Sequence, residues 1–359
     1  MNTKQNNVRM IRDLSDAFGP PGFEEAVLGV IRRHGEGLGT FAEDPMRNLY
    51  LRRAENTGDR PVLMLDAHSD EVGFMIHSVN PDGTLRFVTL GGWSSAVLAS
   101  TRVLVRNADG TLLPGIVTVR RAPSADPAKR KALPEIQEMA IDVGAVSRDE
   151  ALGAFRIRIG EPAAPETSFH FDEAHGLMFG KAFDCRLGCA ALIETLRRLQ
   201  GCPLPFDVVG VFSAQEELGM RGCRVAVERV RPQIAFCFEG SPADDTAIRT
   251  WEAQTALRRG PMFRFLDQSV ICSPRFQRYV LDLAEKTGIP AQGAVRENGG
   301  NDAAVINTAC GGVPVVVAGI PVRYTHTGNG MACYDDFEAT VRLAVETLKS
   351  LQPDDLTSL

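Results

Sequence analysis

The sequence predicts an α/β fold in which a sheet flanked by helices is interrupted by a small β-rich unit. Two observations carry the main part: runs of strand length that are almost wholly apolar, as strands covered on both faces are, and helical-period segments that alternate with them towards both ends of the chain. The third is a change of character between about Gly73 and Glu161, where short alternating segments are separated by DG and GG turns. At 359 residues the chain can bury a substantial core, in one large domain or two ordinary ones.

In chain order, a short N-terminal helix leads to the turn GPPG (19–22), and FEEAVLGVIRRHGEGLG has apolar residues at helical spacing before its closing glycines. NLYLRRA and PVLMLDAHSDEVGFMIHSV read as strands. TLRFVTL, TRVLVRN, GIVTVR and FRIRIG read as strands of the β unit, with one helix roughly from PEIQEMAI to SRDEAL. Helix and buried strand then alternate: CRLGCAALIETLRRLQ helical, DVVGVFSA and QIAFCFEG extended, SPRFQRYVLDLAEKTG helical, VPVVVAGIP extended, and a last helix from about Tyr334.

A net charge of −6 excludes a general binder of nucleic acid or anionic membrane, because neither would be attracted at long range. The basic stretch RRAPSADPAKRK (120–131) reads as a solvated loop. The N-terminus has no apolar signal region and no run approaches the ~18 apolar residues of a membrane span, so a cytoplasmic location is expected. Eight cysteines without a CxxC pair read as buried, reduced thiols.

In open α/β sheets ligands sit at the carboxyl ends of strands, so the residues ending each apolar run are the informative ones. LDAHSDE supplies His68 and Asp70, GKAFDCRLG supplies Asp184, SAQEELGMRG supplies Glu216 and Glu217, AFCFEG supplies Glu239, and VAGIPVRYTHTG runs to His326. Imidazole and carboxylate are ligands for zinc, cobalt or manganese. Five such donors exceed the needs of one tetrahedral ion, whereas two ions ~3.5–4 Å apart, sharing one bridging carboxylate, use them all. Asp70, two residues beyond His68 and on the same strand face, can accept the other imidazole N–H and orient the ring. Of the adjacent glutamates, one can bind metal while its neighbour acts as general base towards water.

AHSDEVGFM, GKAFDCRLGCA, SAQEELGMRG and PVRYTHT, in that order, resemble the M42 family of metallo-aminopeptidases, the glutamyl-aminopeptidase and tetrahedral-aminopeptidase group. The similarity extends to GPPGFEEAV, GGW (91–93) and IDVGAVSRDEA (141–151). The resemblance implies a mixed sheet flanked by helices, as in zinc-peptidase-like catalytic domains, formed by residues 1–72 and 166–359. Residues 73–165 would be an inserted β-barrel-like dimerisation domain of a homo-oligomer, a tetrahedral dodecamer. It also implies two divalent ions (Zn, Co or Mn) per subunit, with His68 and His326 on opposite ions, Asp184 as bridge, Glu217 and Glu239 as ligands and Glu216 as general base. Peptides with a free N-terminus are then the substrates, and neither nucleic acid nor membrane is a partner.

Glu239, Cys185 and Asn301 depart from that pattern, standing where Asp, Asp or Asn, and Thr are usual. Cys185 reads as a small buried thiol rather than a soft ligand. Asn301 or Asp302 is expected to cap the following helix, and Asp244 and Asp245 to form a solvated loop pair. His34, His77, His170 and His175 read as ordinary structural or surface histidines. A non-catalytic assembly protein of the same fold would have lost the base or the bridge, and both are present. A glycoside hydrolase needs carboxyls ~5–9.5 Å apart across a bond, which sequence neighbours such as Glu216 and Glu217 cannot straddle.

Overall fold

The computed structural model describes residues 3–120 and 132–359; most of the basic stretch, residues 121–131, lies outside them. Its frame is an eleven-stranded mixed sheet. Four central strands, Asp207–Ser213, Val62–His68, Ile234–Pro242 and Val315–Arg323, lie side by side and parallel, and their flanking neighbours pair antiparallel. Alternate side chains of these strands enter two different cores. Leu63, Leu65, Phe236 and Phe238 face the helix Phe183–Arg198 and the terminal helix Tyr334–Ser350, while Met64, Val209, Val211 and Cys237 face the helices Arg221–Val230 and Ala303–Thr308. Burial on both faces is why these segments read as continuous apolar runs.

Register puts the strand ends together. Ser213 pairs with His68, and Cys237 pairs with Asp66, so Glu239, two residues on, stands level with His68. The long run PVLMLDAHSDEVGFMIHSV is two strands: it leaves the large sheet after His68 and re-enters extended structure at Gly73–Val79, in a closed six-strand barrel. The other barrel strands are Leu85–Leu90, Arg102–Arg106, Leu112–Val119, Met139–Asp142 and Pro162–Pro165, around a core that includes Phe74, Ile76, Val103, Val105 and Ile141.

Two expectations within this unit fail. FRIRIG is not a strand: Arg156 takes a left-handed φ of 57°, and the N–H of Ile157 bonds the carbonyl of Ala151, tying the segment to the short helix Arg148–Gly153 instead of a ladder. The one helix expected from PEIQEMAI to SRDEAL is instead a single 3-10 turn, Ile136–Glu138, and a short α-helix, Arg148–Gly153, separated because Met139–Asp142 pairs with Val117 and its neighbours as a barrel strand. Among the described residues no helix is long and apolar enough to cross a membrane. All eight cysteines are free and six are buried, but Cys310 is exposed, contrary to the expectation of buried thiols.

Candidate active site

The residues singled out in the sequence converge at the carboxyl end of the central strands. His68 ends its strand and points Nε2 to within 3.0 Å of Asp184 Oδ1 and 3.4 Å of Glu239 Oε1. The other oxygen of Asp184 lies 3.3 Å from His326 Nε2, which lies 3.4 Å from Glu217 Oε1. Three donor groups result, His68–Asp184–Cys185–Glu239, Asp184–Glu217–His326 and His68–Glu216–Glu217, each with its donor atoms within 4.8 Å of one another. Asp184 belongs to the first two. Glu216 stands beside the first group, its Oε2 3.9 Å from His68 Nε2.

Local backbone explains these placements. Ala182 and Gln215 adopt left-handed φ values of 55° and 57°, turning the chain sharply just before Asp184 and Glu216, and the Asp184–Cys185 peptide is cis. Gly240 lets its strand pass against this turn: a Cβ there would lie 2.6 Å from the Asp184 Cα. Asp70, fully buried, lies 3.4 Å from His68 Nδ1, and its two oxygens accept the backbone N–H groups of Glu216 and Glu217 at 3.0 and 3.1 Å. His326 Nδ1 donates to the Gly92 carbonyl at 2.9 Å, so in the neutral ring it is Nε2 that carries the lone pair, facing Asp184 and Glu217.

So much buried negative charge perturbs protonation. Burial pushes Glu217 up to about 8 against the pull of His326, and burial, reinforced by Asp184, pushes Glu239 to about 7. Burial also holds Glu216 well above the usual carboxylate range. Asp184 moves the opposite way: although burial opposes its charge, the flanking His326 and His68 keep it far below. His326 is raised to about 9 despite burial, chiefly by its contact with Asp184.

Are these donors arranged for cations? Glu217 Oε1, which faces His326 Nε2, is buried without a hydrogen-bond partner. The buried cations Lys181, Arg186 and Arg264 are engaged elsewhere, by Glu71, by backbone carbonyls and by Asp267 respectively. The donor set, imidazole and carboxylate sharing one central Asp, fits divalent ions. Beside it opens a cavity of about 880 Å³, whose wall includes Pro242, Ile248, Gln254, Arg264 and Arg296.

Several contributors were not anticipated. Lys181 Nζ bonds both oxygens of Glu71 at 2.5 and 2.7 Å, and Arg186 donates to the Ser69 and Leu14 carbonyls at 2.8 and 2.7 Å. This buried network clamps the turn after His68 to the turn around Asp184. Its sequence signal is extra charge beside the predicted ligands: Glu71 in AHSDEVG, Lys181 and Arg186 in GKAFDCRLG. Asn301 Oδ1 accepts the N–H of Ala303, as a cap does, whereas Asp302 makes no cap bond. Asp302 instead accepts the Ser213 hydroxyl at 2.5 Å and stands with Asp66 and Cys223 beneath the site. Asp244 and Asp245 are not a solvated pair: each is held by an arginine, Arg296 at 2.8 Å and Arg323 at 2.7 Å. His34 and His175 pair with Asp13 and Asp172, and His77 and His170 are exposed.

Comparison with known proteins gives one consistent result. The family model described as M42 glutamyl aminopeptidase matches residues 48–343. The glutamyl aminopeptidase of Lactococcus lactis subsp. cremoris (strain MG1363) is 30% identical over 334 residues, 91% of this chain and 91% of the relative. Among solved structures, a TET aminopeptidase from Thaumarchaeota archaeon SCGC AB-539-E09 superimposes with a TM-score of 0.94 at 33% identity, covering 99% of both chains. The TET1 peptidase of Pyrococcus horikoshii, which can assemble into a tetrahedron or a large octahedral shell, gives 0.85 at 26% identity, covering 96% of this chain and 100% of the other.

Proposed function

Because the chain belongs to the M42 glutamyl aminopeptidase family and is a peptide hydrolase, we propose that it is a dinuclear metal-dependent aminopeptidase removing N-terminal residues from peptides. The observation that carries this reading is the pair of donor groups sharing Asp184, with Glu216 alongside, close to His68 and Glu217 but outside both. His68, Asp184 and Glu239 would hold one ion, and Asp184, Glu217 and His326 the other. Bound there, zinc, cobalt or manganese would polarise the scissile carbonyl and make water acidic.

The chain's own residues do the rest. Glu216 takes a proton from the attacking water and hands it to the leaving amine. Asp70 holds the His68 ring and, through two backbone N–H bonds, the Glu216–Glu217 turn. Surplus carboxylate charge attracts the substrate's free α-ammonium, which restricts cleavage to the chain end. Residues 1–72 and 166–359 form the catalytic domain, and residues 73–165 the dimerisation domain of a homo-oligomer, a tetrahedral dodecamer. Exposed Ile116, Val146 and Ile159 on the inserted unit support self-association. The unpaired thiols suit a reducing cytoplasm.

The test is metal removal. Dialysis against EDTA should abolish hydrolysis of aminoacyl-p-nitroanilides, and cobalt, zinc or manganese should restore it. Full activity in metal-free protein would overturn the reading.

A further inference from the structure

The two halves of the centre are not alike. The group around His326 offers one imidazole nitrogen and two carboxylates, whereas the group around His68 offers one imidazole nitrogen, two carboxylates and a sulfur. Cys185 is wholly buried, and its Sγ lies within 4.8 Å of the donor atoms of His68, Asp184 and Glu239. The thiol's present partner is a weak one, the Phe238 carbonyl at 3.3 Å. The next helical turn is shaped around the sulfur: a Cβ at position 188 would lie 2.3 Å from Cys185 Sγ, so Gly188 supplies the space it occupies. Cys189, also buried, has no such position; it faces the His68 carbonyl and joins no donor group.

We propose that Cys185 is a protein ligand of the ion held by His68, Asp184 and Glu239, giving that half of the centre four protein donors including sulfur. Donors ~2.0–2.3 Å from one tetrahedral ion stand ~3.5 Å apart; His68 already lies 3.0 and 3.4 Å from Asp184 and Glu239, so the sulfur, within 4.8 Å of them, need draw in by at most ~1 Å. Coordination forms a metal–sulfur bond as the S–H bond breaks and its proton leaves to solvent. Two consequences follow from the chemistry of the donors. Thiolate favours zinc or cobalt over manganese, so this site is the selective one. Four protein donors close a site, while three leave a position for water or substrate, so the His326 side is the open, exchangeable one.

The inference rests on the dinuclear reading, and the experiment separates the two. Metal-free protein is titrated with cobalt(II) while the near-ultraviolet sulfur-to-cobalt charge-transfer band and bound cobalt are followed together. The band should grow with the first equivalent and stay constant with the second. Cys185→Ser should abolish it and weaken binding of the first ion at least about tenfold, and Cys223→Ser should retain it. Should Cys185→Ser not fold, X-ray absorption on the unsubstituted cobalt protein gives the same answer through cobalt–sulfur scattering. Two bound cobalt ions with neither band nor scattering would overturn the sulfur ligand and leave the dinuclear reading intact. A band that survives Cys185→Ser and vanishes in Cys223→Ser would assign the metal to Asp66, Cys223 and Asp302, also overturning it. Failure to bind cobalt at all would bring down both.

Discussion

Glu216 and Glu217 are neighbours with different surroundings, and the difference predicts different losses. Glu217 lies 3.4 Å from His326 in a donor group centred on Asp184, whereas Glu216 stands outside that group, 3.9 Å from His68. Glu216→Gln keeps size and most hydrogen bonding but cannot accept a proton; it should fold and load two ions yet lose at least about a hundredfold in kcat. Glu217→Gln should lose one ion in metal analysis before it loses anything else. Near-normal kcat in the first with both metals kept in the second would mean the roles are exchanged. Protons compete for the same groups. Burial raises Glu217 to about 8 and Glu239 to about 7, and His326 stands at about 9, so below these values each is protonated and a metal must displace the proton. Apparent affinity should therefore tighten as pH rises from about 6 to about 9, by up to about tenfold per unit for each proton displaced. A flat profile by calorimetric titration across that range would contradict this.

At the scale of elements, close approach between Gly240 and the turn at Asp184 sets a second expectation. Gly240→Ala forces a Cβ to 2.5 Å from the Phe183 carbonyl oxygen and 2.6 Å from the Asp184 Cα. Either backbone must shift, at a cost of ~1–3 kcal/mol for such overpacking, and the shift falls on the residue common to both donor groups. A lower melting temperature together with fewer bound ions is expected; unchanged metal content would show that the turn has slack. The same scale shows what the sequence could and could not reveal. Val62–His68 and Val315–Arg323 were legible because burial on both faces leaves no polar position in the pattern except at the working end. Met139–Asp142 and Pro162–Pro165, four residues each, are too short for periodicity, and FRIRIG alternates well yet hands its hydrogen bonds to a helix. His68, Asp184, Glu216, Glu217, Glu239 and His326 were legible from strand-end position combined with motif order. Asp302 was not, since its partner Ser213 is 89 residues away in sequence and only the tertiary packing of a helix N-terminus against a strand end brings them together.

For the whole molecule, the barrel leaves Ile116, Val146 and Ile159 at 51%, 81% and 71% exposure, apolar surface that a partner subunit would cover. Light scattering should report an oligomer at micromolar concentration, and Ile116→Asp combined with Val146→Asp should shift it to smaller species; a monomeric unsubstituted protein would refute the assembly. One contact makes the barrel more than a handle for assembly. The carbonyl that fixes the tautomer of His326 belongs to Gly92, inside the inserted unit, while His326 itself lies 234 residues further along the chain. The two units are therefore poor candidates for modular exchange. A chimera that grafts a foreign barrel between Val72 and Glu166 could fold both halves faithfully and still leave the imidazole free to swing. A designer wishing to transplant the large-sheet unit must carry the loop at 91–93 with it, or rebuild the acceptor that it provides.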